Sequence, residues 1–247
     1  MNTHCAIWYV GAVLALEAIP ARSSDLKPAN AKPDTRTERV IQGWKISVDD
    51  RLLAPPHAGL GTLALSLLEA DLANISNLGT LLADENLEKL RAVRIVLDFS
   101  HGDLRAMQYH PSVDWLQQHG YAPDLAKCVH IPVATDYTSP RHRHEQPWCL
   151  LHELSHAFHD QVLGFDEPRV LAAWQNFKTS DRGDNVLHIG GRRLRHYALT
   201  DQKEFFAEMC EAYFGMNDFF PFNNAELKDA EPETWKLLQS IWGKATN

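Results

Sequence analysis

Cysteine is scarce: the 247 residues hold four. No two form a CxxC pair, and Cys5 lies in a segment expected to be removed, leaving Cys128, Cys149 and Cys210. An odd remainder at such spacing excludes a disulfide framework, though one bridge stays open. Basic charge is also in short supply, with 24 Lys and Arg against 32 Asp and Glu and a net charge of −8. A nucleic-acid binder normally shows a basic face, so that class is set aside. Long apolar runs are missing as well: Ala6 to Leu16 is too short to span a bilayer comfortably. There is no internal repeat and no low-complexity array. What remains is ordinary for a soluble globular protein, 45% hydrophobic and 23% charged, and long enough for one substantial domain or two small ones.

The N-terminal apolar run is followed by EAIPARSS, with small residues where a signal peptidase cuts, after Ala21. Residues 1–21 are therefore read as a signal peptide, despite the lack of Lys or Arg before the run. The next stretch, 22–38, is polar and carries two prolines; it cannot bury a core and is read as a flexible leader. The domain proper is expected over 39–247. The expected location is secreted or periplasmic, with no stable membrane insertion after cleavage.

Periodicity places a strand at Val40–Val48 and helical pieces at Leu60–Leu72 and Glu85–Ala92. Further strands are expected at Val93–Phe99 and Cys128–Ala134, the second at a sheet edge because of Pro132. A hairpin is expected around Gly190 and Gly191, and a capped helix from Asp201 to Gly215. Strands gather in the first half and helices dominate the second, which points to an α+β domain.

The chemistry lies in CLLHELSHAFHDQVLGF, Cys149 to Phe165. Pro147 and Gly164 punctuate a helix in which His152 and His156 stand four apart, on one face and one turn above the other. That spacing lets two imidazoles converge on one tetrahedral zinc ion. Glu153, offset by about 100°, sits beside the metal and not on it, where it can take a proton from water. Cys149, a turn earlier, is expected to be a plain buried thiol. His159 and the RHRHEQ segment, Arg141 to Gln146, are read as surface and as a solvated loop above the site. The segment around Tyr109 and Trp115 is read as core and turn packing.

A third ligand must come from elsewhere. Glu204, Glu208 and Glu211 share one side of the helix starting near Asp201, where like charges repel unless a cation stands near. Asp201 and Glu204 also match a capping box, which explains Glu204 without metal but leaves Glu208 unexplained. Glu204 is favoured as ligand, with Glu208 accepting a hydrogen bond from a ligand histidine.

HELSH followed by YALTDQKEFFAE resembles the catalytic domain of the anthrax lethal factor family of zinc metallopeptidases, which includes Pro-Pro endopeptidases. The resemblance covers roughly 146–242. It implies a zincin-like metallopeptidase domain with a small mixed sheet, a histidine-bearing helix and a glutamate-bearing helix. It puts the third zinc ligand on Glu204, the second glutamate of the family string on Glu208, and an oxyanion-stabilising tyrosine on Tyr197. Asp201 replaces the family's usual asparagine. The reading is an exported endopeptidase carrying one zinc ion (Zn2+) per chain and acting on a peptide or protein substrate. Two alternatives stay open: a catalytically inactive zincin-like binding module, and an exported protein with structural zinc. Cleavage preference and oligomeric state are not legible.

Overall fold

The computed structural model describes residues 31–243. The expected signal peptide and most of the expected leader lie outside the described residues. The leader's last residues do not behave as a linker: β1, Arg36–Ile41, begins inside it. Ala31 O accepts from Arg51 Nη1 and Ser100 Oγ, and Arg36 grips Asp98 through two hydrogen bonds of 2.7 and 2.8 Å. Polar composition signals a linker only when the polar groups find no partners, and here they do.

The stretch expected as one strand at Val40–Val48 is a hairpin. β2 is Trp44–Asp49, joined to β1 by Gln42 and Gly43 at φ of 52° and 91°. Two positive φ values in a two-residue loop match the twist of antiparallel strands. The long helix α1, Ala58–Ser76, follows, then α2, Asp84–Arg91. Among the described residues α1 alone is long and apolar enough to cross a membrane, yet Ala64, Leu68, Leu72 and Ile75 lie in the core.

The central strand is β3, Ile95–Leu97, followed by β4, Gln108–Tyr109, the short helix α3, Val113–Gln118, and β5, Val129–Ile131. Together the strands form a five-stranded mixed sheet of order β1-β2-β3-β5-β4. The pairs β2–β3 and β3–β5 are parallel; β1–β2 and β4–β5 are antiparallel. β5 is therefore interior, paired on both sides, and the edge position expected for it belongs to β4. Pro132 does not force an edge because it falls one residue past the paired segment. Alternation sorts the two faces: Ile95 and Leu97 point into the main core, Val96 into a smaller cluster with Leu116, Leu125 and Cys128.

The second half is helical, in keeping with the α+β expectation. α4, Ala134–Tyr137, and α5, Pro140–Glu145, lead to α6, Cys149–Phe158, which continues as a π-helical turn over His159–Leu163 and ends at Gly164, φ 84°. RHRHEQ is thus largely helix α5, capped by Ser139, and not a loop. α7, Pro168–Thr179, precedes the small hairpin β6, Val186–Leu187, and β7, Arg193–Leu194. α8, Gln202–Phe214, is capped by Asp201, whose side chain accepts from the amides of Lys203 and Glu204. α9, Asn224–Ala230, and α10, Pro232–Trp242, close the described chain.

α6 and α8 pack against each other, and Leu151, Leu154, Phe158, Phe206 and Met209 from the two helices share one core. Gly215, just past α8, has the Trp148 ring where a Cβ would lie, 2.0 Å from its nearest atom. Any side chain there would push apart the two helices that carry the site.

Candidate metal centre

His152, Glu153 and His156 come from α6, and Glu204, Glu208 and Glu211 from α8. His152 Nε2 lies 3.1 Å from His156 Nε2 and 3.2 Å from Glu204 Oε2. The third side of the triangle, His156 Nε2 to Glu204 Oε2, is 3.3 Å. Three ligands on a tetrahedral zinc with bonds of 2.0–2.1 Å stand about 3.3 Å apart, so the donor triangle has the size the ion requires. Glu204 also heads the helix whose cap Asp201 supplies, so the cap and the ligand role coexist on one residue.

His152 Nδ1 is 2.6 Å from Glu211 Oε1. With Nδ1 donating to that carboxylate, Nε2 keeps its lone pair and turns it into the triangle. The sequence reading gave this part to Glu208, but Glu208 Oε1 stands 3.9 Å from the same nitrogen. Seven residues come close to two full turns, so Glu211 lies almost directly along the helix from Glu204; four residues overshoot one turn by about 40°. The histidine spans Glu204 at one nitrogen and Glu211 at the other. Glu208 sits buried between them, its Oε2 3.6 Å from His196 Nδ1 and without a hydrogen bond.

The carboxylates and imidazoles of the site shift one another's proton affinities. Burial opposes a proton on His152, but the hydrogen bonds its ring donates to Glu204 and Glu211 outweigh it and raise its pKa well above the ordinary imidazole value. Burial likewise opposes a charge on Glu204, yet His152 and His156 hold its carboxyl below the usual carboxylate range. Glu208 is pushed well up by burial and by Glu211 and Asp218; Asp218 is pushed up to about 7 by burial and Glu211. A cation held in the triangle would offset the negative charge that Glu204, Glu208 and Glu211 bring together.

Glu153 is buried, and burial raises its pKa against the pull of the two histidines and the Tyr109 amide. Its Oε2 accepts from that amide at 2.7 Å. All six residues named above line a cleft of about 940 Å³, together with Tyr197, His188, Asp218 and Phe219. Tyr197 is half-exposed, with its pKa raised by burial and by Glu204. Cys149 reaches the same cleft; burial pushes its thiol well up, leaving it a poor thiolate. Asp218, His188 and Phe219 were missed by the sequence reading because they follow a different turn of chain and match no spacing rule. Tyr109, read as packing, was missed because its contribution is a main-chain amide, which no side-chain pattern reveals.

A second group of ligand-type side chains, Asp98, His101 and His130, is built differently. Asp98 Oδ2 lies 2.7 Å from His101 Nδ1 and 2.8 Å from His130 Nε2, ordinary hydrogen-bond lengths. Arg36 occupies both oxygens of the same carboxylate and supplies the positive charge. This group holds the sheet to its first strand, with the Arg36 guanidinium already paired to the carboxylate.

No protein-family model matches the sequence, and neither does any curated protein. Among solved structures, the Pro-Pro endopeptidase PPEP-2 from Paenibacillus alvei is similar over 72% of this chain and 90% of its own, at 18% identity and a TM-score of 0.39. That likeness is too distant to assign this chain a family or an activity.

Proposed function

We propose that the chain is an exported, zinc-dependent endopeptidase. The observation that carries the reading is the triangle of His152 Nε2, His156 Nε2 and Glu204 Oε2, with sides of 3.1, 3.2 and 3.3 Å at the floor of an open cleft. These three residues would hold the zinc. Bound there, the ion supplies Lewis acidity toward water and a carbonyl oxygen. Glu153 takes the proton of the attacking water and returns it to the leaving amine. Oε2 is tied to Tyr109, so Oε1 is the oxygen left for that transfer. Tyr197, on the rim of the cleft, donates its hydroxyl to the oxyanion that develops on the substrate. A purely structural ion would have no use for a buried carboxylate beside two ligand histidines, so Glu153 favours turnover over the two binding-only readings.

The test is elemental analysis of the domain purified without added metal, with digestion of a peptide library in the presence and absence of chelator. About one zinc per chain and chelator-sensitive cleavage are expected. Less than about a tenth of an equivalent, with no uptake of added zinc, would end the zinc reading. Within the site, Glu211→Gln should weaken zinc affinity roughly 10–100-fold, because it orients His152 directly. Glu208→Gln should weaken it less. Competition against a chelator of known affinity ranks the two, and the reverse order would return the orienting part to Glu208.

A further inference from the structure

We infer that Tyr109 is a positioning residue for Glu153, acting through its main-chain amide. The inference rests on the peptidase reading and adds a residue to it. β4 is an edge strand, and His110 directs its own N–H and C=O at β5, to Cys128 O at 3.1 Å and from Lys127 N at 2.7 Å. Alternation then aims the Tyr109 amide away from the sheet, where an edge strand normally meets water. Instead it meets Glu153 Oε2 at 2.7 Å.

The amide is itself held in place. The Tyr109 phenol donates to Asp160 Oδ2 at 2.6 Å and accepts from Gln161 Nε2 at 3.1 Å. Both partners belong to the π-helical turn that extends α6, and Asp160 also pairs with Lys127 beside β5. One residue thus braces the edge strand to the motif helix twice, by its backbone to Glu153 and by its side chain about two turns further along. The consequence for Glu153 is a fixed side chain: one oxygen is bound, and the other is left for proton transfer. An unbraced carboxylate in this buried place would sample orientations in which neither oxygen is presented to the cleft.

The test replaces the Tyr109 amide by an ester, using the α-hydroxy acid analogue of tyrosine, which removes the N–H and leaves the side chain. Hydrolysis is followed on the best-cleaved peptide of a degenerate library, with zinc content measured on the same preparation. A hydrogen bond to a charged group predicts a loss in kcat of about 10–100-fold, with KM and zinc content unchanged. In a Glu153→Gln background the ester should cost nothing further, since it acts through that residue. Should the ester form fail to fold, Tyr109→Phe keeps the amide and cuts the brace, and a several-fold fall in kcat at constant KM is expected. An ester variant with the kcat of the unmodified protein, or a loss carried by KM or by zinc, overturns the role assigned to Tyr109. Absence of chelator-sensitive hydrolysis in the unmodified protein is a separate result, and overturns the peptidase reading from which this role follows.

Discussion

Glu153→Gln should retain its zinc and its fold while losing about 10²–10⁴-fold in peptide hydrolysis, the range that a positioned general base contributes. The substitution is close to isosteric. Its amide oxygen can still accept from the Tyr109 amide, so the 2.7 Å contact that holds the side chain survives. What is lost is basicity alone. Zinc should stay because the donor triangle comprises His152, His156 and Glu204 and does not include Glu153. Measuring zinc per chain, melting temperature and kcat/KM on one preparation checks all three statements. A variant that loses its zinc would show that Glu153 ligates, and the division of labour along α6 would have to be redrawn. A variant that keeps full activity would remove proton transfer from Glu153.

The second large effect concerns pH and the cation. In the cation-free protein burial raises Glu153, while the carboxylates around His152 overcome burial and raise that histidine as well. Both groups hold protons in the folded chain that the unfolded chain has already released. The stability this brings is fully present below the unfolded pKa values, about 4 for the carboxyl and about 6.5 for the imidazole, and is lost as pH rises through the folded ones. Asp218, pushed up to about 7, adds a loss of the same sign between about 4 and 7. Zinc must displace the His152 proton to bind, because that nitrogen belongs to the donor triangle, so its binding strengthens as pH rises. One displaced proton is worth about 1.4 kcal/mol per pH unit, so the gap widens by about that much per unit while His152 holds its proton in the cation-free form. Melting temperatures of zinc-loaded and chelator-treated protein should therefore diverge steadily from pH 5 to pH 8. His110, His159 and His196, which burial lowers to about 3, 4 and 3, lie outside the triangle. They weaken both forms alike as pH falls and drop out of the comparison. A gap that is flat, or that narrows with pH, would mean that no proton is exchanged for the ion.

Much of this was readable from local chemistry. The four-residue spacing of His152 and His156 determines that both lie on one helical face, because the rise and turn of a helix do not depend on what it packs against. Asp201 as a cap and Gly164 as a terminator act within one turn of chain, and both stand where local rules put them. The α+β order followed from where the apolar periodicities fall. Expectations that needed a partner fared differently. The strand read at Val40–Val48 folded back as a hairpin because Gln42 and Gly43 accept positive φ, a choice that the pairing of β1 with β2 stabilises.

The amino-acid sequence by itself determined which residue types stand on each helix and at what pitch: two imidazoles and a carboxylate on α6, three carboxylates on α8. Only the tertiary structure decided which of them meet. The packing of α6 on α8 closed the triangle on Glu204 and set Glu211, not Glu208, against His152 Nδ1. The strand order put β4 at the edge and so delivered the Tyr109 amide to Glu153. The reason is one of range. Helical pitch is a property of neighbouring residues, whereas a 2.6 Å contact across 59 positions depends on how every intervening core side chain packs.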